Sequence, residues 1–119
     1  MSRKLREQDL EARERWPKLS NLLSCYFHEH FRALYVSVDG AVDRAVSEHS
    51  LEYRQAILKE WRDWNATRGW KEDVHRFMLH GFHVYYTFDT PAEARGFMNM
   101  IYEKLIASVR AETEGKWKP

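Results

Sequence analysis

Cysteine is almost absent from this sequence: Cys25 is the only one in 119 residues. One thiol excludes an internal disulfide and any site built from several thiolates. Cys25 stands among Leu22, Leu23, Tyr26 and Phe27, so a buried, reduced thiol is expected, and the cytosol is the simplest compartment for it. Glycine and proline are also scarce, with five and three copies. The glycines are scattered as turn or cap residues, which leaves no Gly-rich loop to cradle a phosphate. No apolar run approaches the ~18 residues of a membrane-spanning helix. The opening Met1-Ser2-Arg3-Lys4-Leu5-Arg6 lacks the apolar stretch of a secretory signal. An excess of one charge sign is missing too: 19 basic residues face 18 acidic ones, for a net charge of +1. Nucleic-acid binders draw much of their affinity from a basic excess, so that class is disfavoured.

What the chain does have is rings. Five Trp, six Tyr and six Phe let a short chain bury a large area. Hydrophobic residues at 44% and charged residues at 31% match ordinary globular usage and argue against overall disorder. The charges sort unevenly. Met1 to Ser20 holds six basic and four acidic residues, whereas Glu29 to Asp63 holds five basic and seven acidic ones. The middle of the chain is therefore mildly acidic, which suits a basic partner.

Apolar spacing predicts helices along most of the length. Arg3 to Arg15 is mostly charged, and two leucines five apart make no stripe, so the segment 1–15 reads as a peripheral charged helix or arm outside the core. The domain proper, 16–111, starts at Trp16-Pro17, with Pro in the first turn of a helix. Trp16, Leu19, Leu23, Tyr26 and Phe27 form its apolar face, widened by Leu22 and Cys25, and it ends near His28 to Phe31. Ser37 caps a second helix with Val38, Ala41, Val42, Ala45 and Val46 on one side. A third runs from Leu51 to Trp64 and stops over Asn65 to Gly69. Trp70, Val74, Phe77 and Met78 give a short helix closed by Gly81. Phe82 to Phe88 reads FHVYYTF and has β character without a partner strand, so an extended aromatic loop packed on helices is expected. Thr90, Pro91 and Glu93 form a capping box, with Glu93 reaching back to the Thr90 amide. The last helix carries Ala94, Phe97, Met98, Ile101, Leu105 and Val109 on one face and runs to about Ala111. An exposed tail, 112–119, has Trp117 as its anchor. The expected fold is all-α: an irregular bundle of five or six helices with one extended aromatic loop.

Candidate chemistry is thin. His28 and His30 are two apart, on different sides of a helix, and His80 and His83 flank Gly81. These four histidines define an alternative metal-binding reading, but no HExxH is present, and neither a metal nor a cofactor is expected. A nucleophilic Cys25 would need activation by His28 in an exposed, electropositive setting, which its apolar neighbours argue against. No pair of carboxylates is marked out as a hydrolase dyad, so an enzyme is not expected. Tyr85 and Tyr86 are adjacent, so in an extended segment they point to opposite sides and one of them is left for solvent or a partner. Tyrosine supplies large contact area with a polar handle, which favours a protein-binding module. A regulatory or scaffolding module, self-associating through Phe82 to Phe88, is a further alternative.

The stretch WPKLSNLLSCYFHEHF, Trp16 to Phe31, resembles the opening of the bacterial contact-dependent growth inhibition immunity proteins. Those begin with an aromatic-Pro-x-Leu helix leading into Tyr-Phe-His, here Trp16-Pro17-Lys18-Leu19 and Tyr26-Phe27-His28. The similarity continues through a short helix ending in Gly (Trp70 to Gly81), a Tyr-rich loop (Phe82 to Phe88) and a final amphipathic helix (Pro91 to Ala107). The sequence departs from the family at Glu29-His30-Phe31, where members usually have a polar residue, Asp and Trp. The resemblance implies a cytoplasmic, non-enzymatic protein, monomeric or paired with its toxin. Its partner would be the C-terminal domain of a cognate toxin, commonly a nuclease with a basic substrate surface, whose active site it covers. Neither nucleic acid nor membrane is an expected partner. Toxin-contacting residues vary within the family, so the candidates come from this sequence alone: Glu29, Asp39, Asp43, Glu48, Tyr85, Tyr86 and Asp89.

Overall fold

A computed structural model describes residues 3–27, 37–84 and 88–118. Among them are six α-helices and no strand: α1 (Arg3–Arg15), α2 (Pro17–Tyr26), α3 (Val38–Glu48), α4 (Leu51–Trp64), α5 (Val74–His80) and α6 (Pro91–Thr113). A π-helical turn, Asn65–Gly69, extends α4. The fold is all-α, as the apolar periodicity predicts. Helix α6 is the spine, packing against α3, α4 and α5, while α2 lies on α4 and α1 rests on α2 and α5.

Each helix start has a local cause. Ser37 accepts the N–H of Gly40, the N-cap bond expected of it, and Ser50 caps α4 in the same way by accepting the N–H of Tyr53. Thr90 accepts the N–H of Glu93 and Pro91 occupies the first helical position. Glu93 reaches back one residue further than expected, accepting the Asp89 N–H at 3.2 Å. Helix α6 ends in left-handed backbone at Glu114 and Gly115, where the Gly115 N–H closes onto the Arg110 carbonyl at 2.8 Å. At Gly81 a side chain is excluded by packing, because a Cβ there would stand 2.6 Å from the Phe77 ring.

The core is a single cluster in which rings and aliphatic side chains mix. Trp16, Trp64, Phe77 and Phe82 are buried together, with Phe77 and Phe82 edge-to-face at 5.2 Å and Trp16 and Phe77 at 5.9 Å. Leu19, Leu22 and Leu23 of α2 meet the inward faces of its neighbours, and burying each such side chain contributes roughly 1.5–3 kcal/mol. Of the aromatic segment, Phe82, Val84 and Phe88 are buried, while Tyr85 to Thr87 lie outside the described residues.

Four expectations change. The charged N-terminal segment is not outside the core: Ala12 is fully buried, Gln8 nearly so, and Glu11 pairs with Arg68 at 2.6 Å. A single small side chain, Ala12, lets the helix approach closely enough to dock without a leucine stripe. Helix α2 ends at Tyr26, before His28 to Phe31. Cys25 is exposed rather than buried, because the inward arc of α2 is filled by Leu19, Leu22, Leu23 and Tyr26. Trp70 lies outside α5 and is 66% exposed. Its indole N–H folds back onto the Ala66 carbonyl at 2.9 Å, while Arg95 of α6 donates to the carbonyls of Gly69, Trp70 and Lys71. The guanidinium thus satisfies the open C-terminal end of the π-helical turn, where a cation is favoured.

Candidate partner-binding surface

Helix α3 turns Ala41, Val42 and Ala45 inward against α6, which leaves Asp39 and Asp43 on its outer side, one turn apart. Both carboxylates reach the same ammonium: Lys104 Nζ of α6 is 2.9 Å from Asp43 Oδ1 and 3.5 Å from Asp39 Oδ1. The hydrogen bond to Asp43 holds the Lys104 pKa above its usual value, against the opposing effect of burial and with help from Asp39. Two exposed acids sharing one base leave this patch net negative. Such exposed pairs contribute only ~0–1 kcal/mol each to stability.

Beside Asp39, between the start of α3 and the first half of α6, runs an open groove of about 370 Å³. Val38, Phe88, Phe97 and Met100 give it an apolar lining, Glu93 a carboxylate, and Gly96 a stretch of bare backbone. A Cβ at Gly96 would meet nothing within 4 Å, so the wall there faces open space. Asp39 adjoins Val38 and Asp89 adjoins Phe88, and both are exposed. Asp39 and Asp43 thus meet at Lys104, midway along α6, whereas Asp89 precedes the first turn of that helix, beside the other end of the groove. Glu48 stands apart, nine residues along α3 from Asp39, or about 14 Å at ~1.5 Å per residue. It accepts the Tyr26 hydroxyl and pairs with Arg44 at 3.2 Å. The Tyr26 bond, aided by Arg44 and opposed by burial, lowers its pKa. Glu29, Tyr85 and Tyr86 lie outside the described residues. Glu93, Gly96 and Met100 were not singled out by sequence reasoning. The capping box marked Glu93 as a helix-start residue, which does place it on the surface, but nothing local marked the other two.

Among the described residues, the groups considered for catalysis and metal binding do not converge. Cys25 Sγ contacts Asn21 Oδ1 at 3.5 Å, and His28 and His30 lie outside the described residues. His49 stacks on Tyr53 with ring centroids 4.6 Å apart, and His83 Nε2 lies 2.6 Å from Asp9 Oδ1. Among the described residues no group of three or more His, Cys, Asp or Glu side chains is placed to hold a metal ion. None of the described helices is long and apolar enough to cross a membrane.

The sequence model of one family, described as CdiI immunity protein, matches residues 15–105. The chain belongs to that family. It is an immunity protein of the contact-dependent growth inhibition type, and its partner is a toxin protein. The family match opens on the Trp16-Pro17 motif and takes in α2 to α5 and more than half of α6. Helix α1, up to Arg15, and the final turns of α6 flank it, although both pack onto the family's core. No curated protein and no solved structure matches the chain.

Proposed function

We propose that this immunity protein neutralises the C-terminal domain of its cognate toxin by covering the toxin's active site with the α3–α6 face. It acts by stoichiometric binding in the cytoplasm, as a monomer that pairs with one toxin domain, and performs no chemistry of its own. The observation that carries this reading is the apolar groove of Val38, Phe88, Phe97 and Met100 set among the carboxylates of Asp39, Asp89 and Glu93. An apolar centre with a charged rim is the anatomy of a specific interface. A negative rim suits a toxin whose active site binds a polyanion, which favours a nuclease, and opposite charges speed encounter. Asp43 adds to the same rim. Glu29, Tyr85 and Tyr86 belong to the segments that lead into Val38 and Phe88 and are further candidates for contact, as is Glu48 at the far end of α3.

The test is co-purification with the product of the gene immediately upstream, followed by binding kinetics with its isolated C-terminal domain. The double variant Asp39→Lys/Asp43→Lys is expected to slow association by about tenfold or more at low salt, and to restore toxicity in cells. An upstream product that is harmless alone, or that does not bind, removes the proposal. A variant that associates as fast as the native chain removes this face.

A further inference from the structure

On a different side of the molecule, α1, α2 and the turn after α5 border an open cavity of about 280 Å³, lined by Arg13, Pro17, Ser20, Asn21, Ser24 and His83. The lining contains a guanidinium, an imidazole, two hydroxyls and an amide, and no acidic side chain, in a chain with 18 Asp and Glu. We propose that this cavity is a binding site for a single oxyanion group, a carboxylate or a phosphate.

The guanidinium of Arg13 and the imidazole of His83 are positioned from behind by Asp9, which does not itself line the cavity. Asp9 Oδ1 takes His83 Nε2 at 2.6 Å and Arg13 Nε at 3.2 Å, and Oδ2 takes Arg13 Nη2 at 2.5 Å. The Asp9 side chain is only 13% exposed, so both side chains are fixed to a partly buried anchor. This leaves Arg13 Nη1 and His83 Nδ1 uncommitted to Asp9. The Arg13 side chain is 66% exposed, so an incoming anion can reach it without moving the fold. Charge-assisted hydrogen bonds from a pre-positioned guanidinium are the strong kind for an oxyanion. Helix-start amides do not contribute: the Lys18 and Leu19 N–H groups both donate to Glu60 Oε1. Recognition therefore rests on side chains.

His83 stands in left-handed backbone, φ 57°, where the chain turns out of α5, with its N–H on the Leu79 carbonyl at 3.1 Å and the Val84 N–H on the Met78 carbonyl at 2.9 Å. This helix stop brings the imidazole to Asp9. Asp9 and Arg13 come from α1, which precedes the family match at residue 15, whereas the rest of the lining lies within it. The cavity is thus completed by a helix that lies outside the family match. The inference stands on its own residues and does not depend on the toxin-contact face.

The experiment is an NMR titration of the full chain in a buffer free of other oxyanions, following the His83 ring and the Ser20 and Ser24 amides. One arm adds inorganic phosphate, and the other adds the blocked peptide acetyl-Ala-Glu-Ala-amide. Saturable shifts with a dissociation constant on the order of 1 mM are expected from at least one probe. Saturation by phosphate alone identifies a free ion as the ligand, and saturation by the peptide identifies the acidic side chain of a partner protein. Arg13→Gln and His83→Asn should each weaken binding by about tenfold. Asn tolerates left-handed backbone, and unchanged far-UV circular dichroism verifies folding. Lys71→Gln, away from the cavity, should leave binding unchanged. Linear, unsaturated shifts with both probes, or equal affinity in the native chain and Arg13→Gln, would overturn the site.

Discussion

Glu60 of α4 caps the start of α2: its Oε1 accepts the backbone N–H of Leu19 at 3.0 Å, and that of Lys18 at 2.8 Å. Trp16 at the N-cap has no side-chain oxygen to offer and Pro17 has no N–H, so the first turn of the helix is satisfied from another element. Burial raises the pKa of Glu60, and the two backbone bonds and nearby Lys18 only partly offset this. Glu60→Gln keeps an acceptor for both N–H groups and should leave stability at neutral pH unchanged or slightly higher. Glu60→Ala leaves both donors unpaired and should cost about 1–2 kcal/mol. Urea denaturation of the two variants separates charge from capping; equal losses in both would show that the carboxylate charge itself matters.

Asp9 and Glu60 should give pH effects of opposite sign. Burial alone would raise Asp9, but its hydrogen bonds to His83 and Arg13 outweigh that, and its folded pKa falls below 3.8. A depressed carboxylate binds fewer protons folded than unfolded, so its contribution is present above 3.8 and lost as pH falls through the folded value. For Glu60 the folded pKa lies above 4.5, so stability declines as pH rises from 4.5 through the folded value. Asp9→Asn should flatten the acid limb of the urea-midpoint profile, and Glu60→Gln should flatten the limb just above it. An Asp9→Asn profile that tracks the native one down to about pH 2 would contradict this.

Arg54 should be the most costly charged residue to truncate. It is 3% exposed, and it donates to the His49 carbonyl at 3.2 Å, to Ser108 Oγ at 2.8 Å and to the Glu112 carboxylate. Arg54→Ala removes all three bonds and opens a void between α4 and α6, for an expected loss of about 2–4 kcal/mol. Glu112 is half exposed, so water can replace part of its role, and Glu112→Ala should cost less than Arg54→Ala, about 1–2 kcal/mol, because it leaves the buried guanidinium without its counter-charge. Chemical denaturation of both variants checks the ranking, and a larger loss at Glu112 would refute it.

Gly96 offers a handle on the groove that leaves the core alone. It sits inside α6 with room for a side chain, so Gly96→Ala should stabilise the chain by about 0.5–1 kcal/mol. Gly96→Arg should also stay folded, yet place bulk and a positive charge beside Phe97 and Glu93. Weaker toxin binding by Gly96→Arg, with melting temperature kept, is the expected result. Native-like affinity in that variant would mean the toxin does not enter the groove.

Most of the helical architecture was legible because its causes are local. Ser37, Ser50 and the Thr90-Pro91 pair fix three helix starts through bonds spanning three residues, and the Leu51–Trp64 helix has the bounds its apolar spacing predicts. The family, too, was written in a short motif, Trp16 to His28. Where local and tertiary causes compete, the sequence misled. Cys25 has apolar neighbours in the chain, but the inward arc of α2 was already full. Trp70 reads as a core residue by spacing, and the π-helical turn carries it to the surface.

By itself, then, the sequence determined the helical class, the positions of the caps and the family, since these depend on residues within a few positions of one another. Only the tertiary structure decided that α1 docks through Ala12 and Glu11, that Lys104 is shared by Asp39 and Asp43, and that Arg13 and His83 meet over Asp9. These pairings join residues as many as 74 positions apart. No periodicity encodes them, because they follow from how the helix faces meet once the aromatic core has closed.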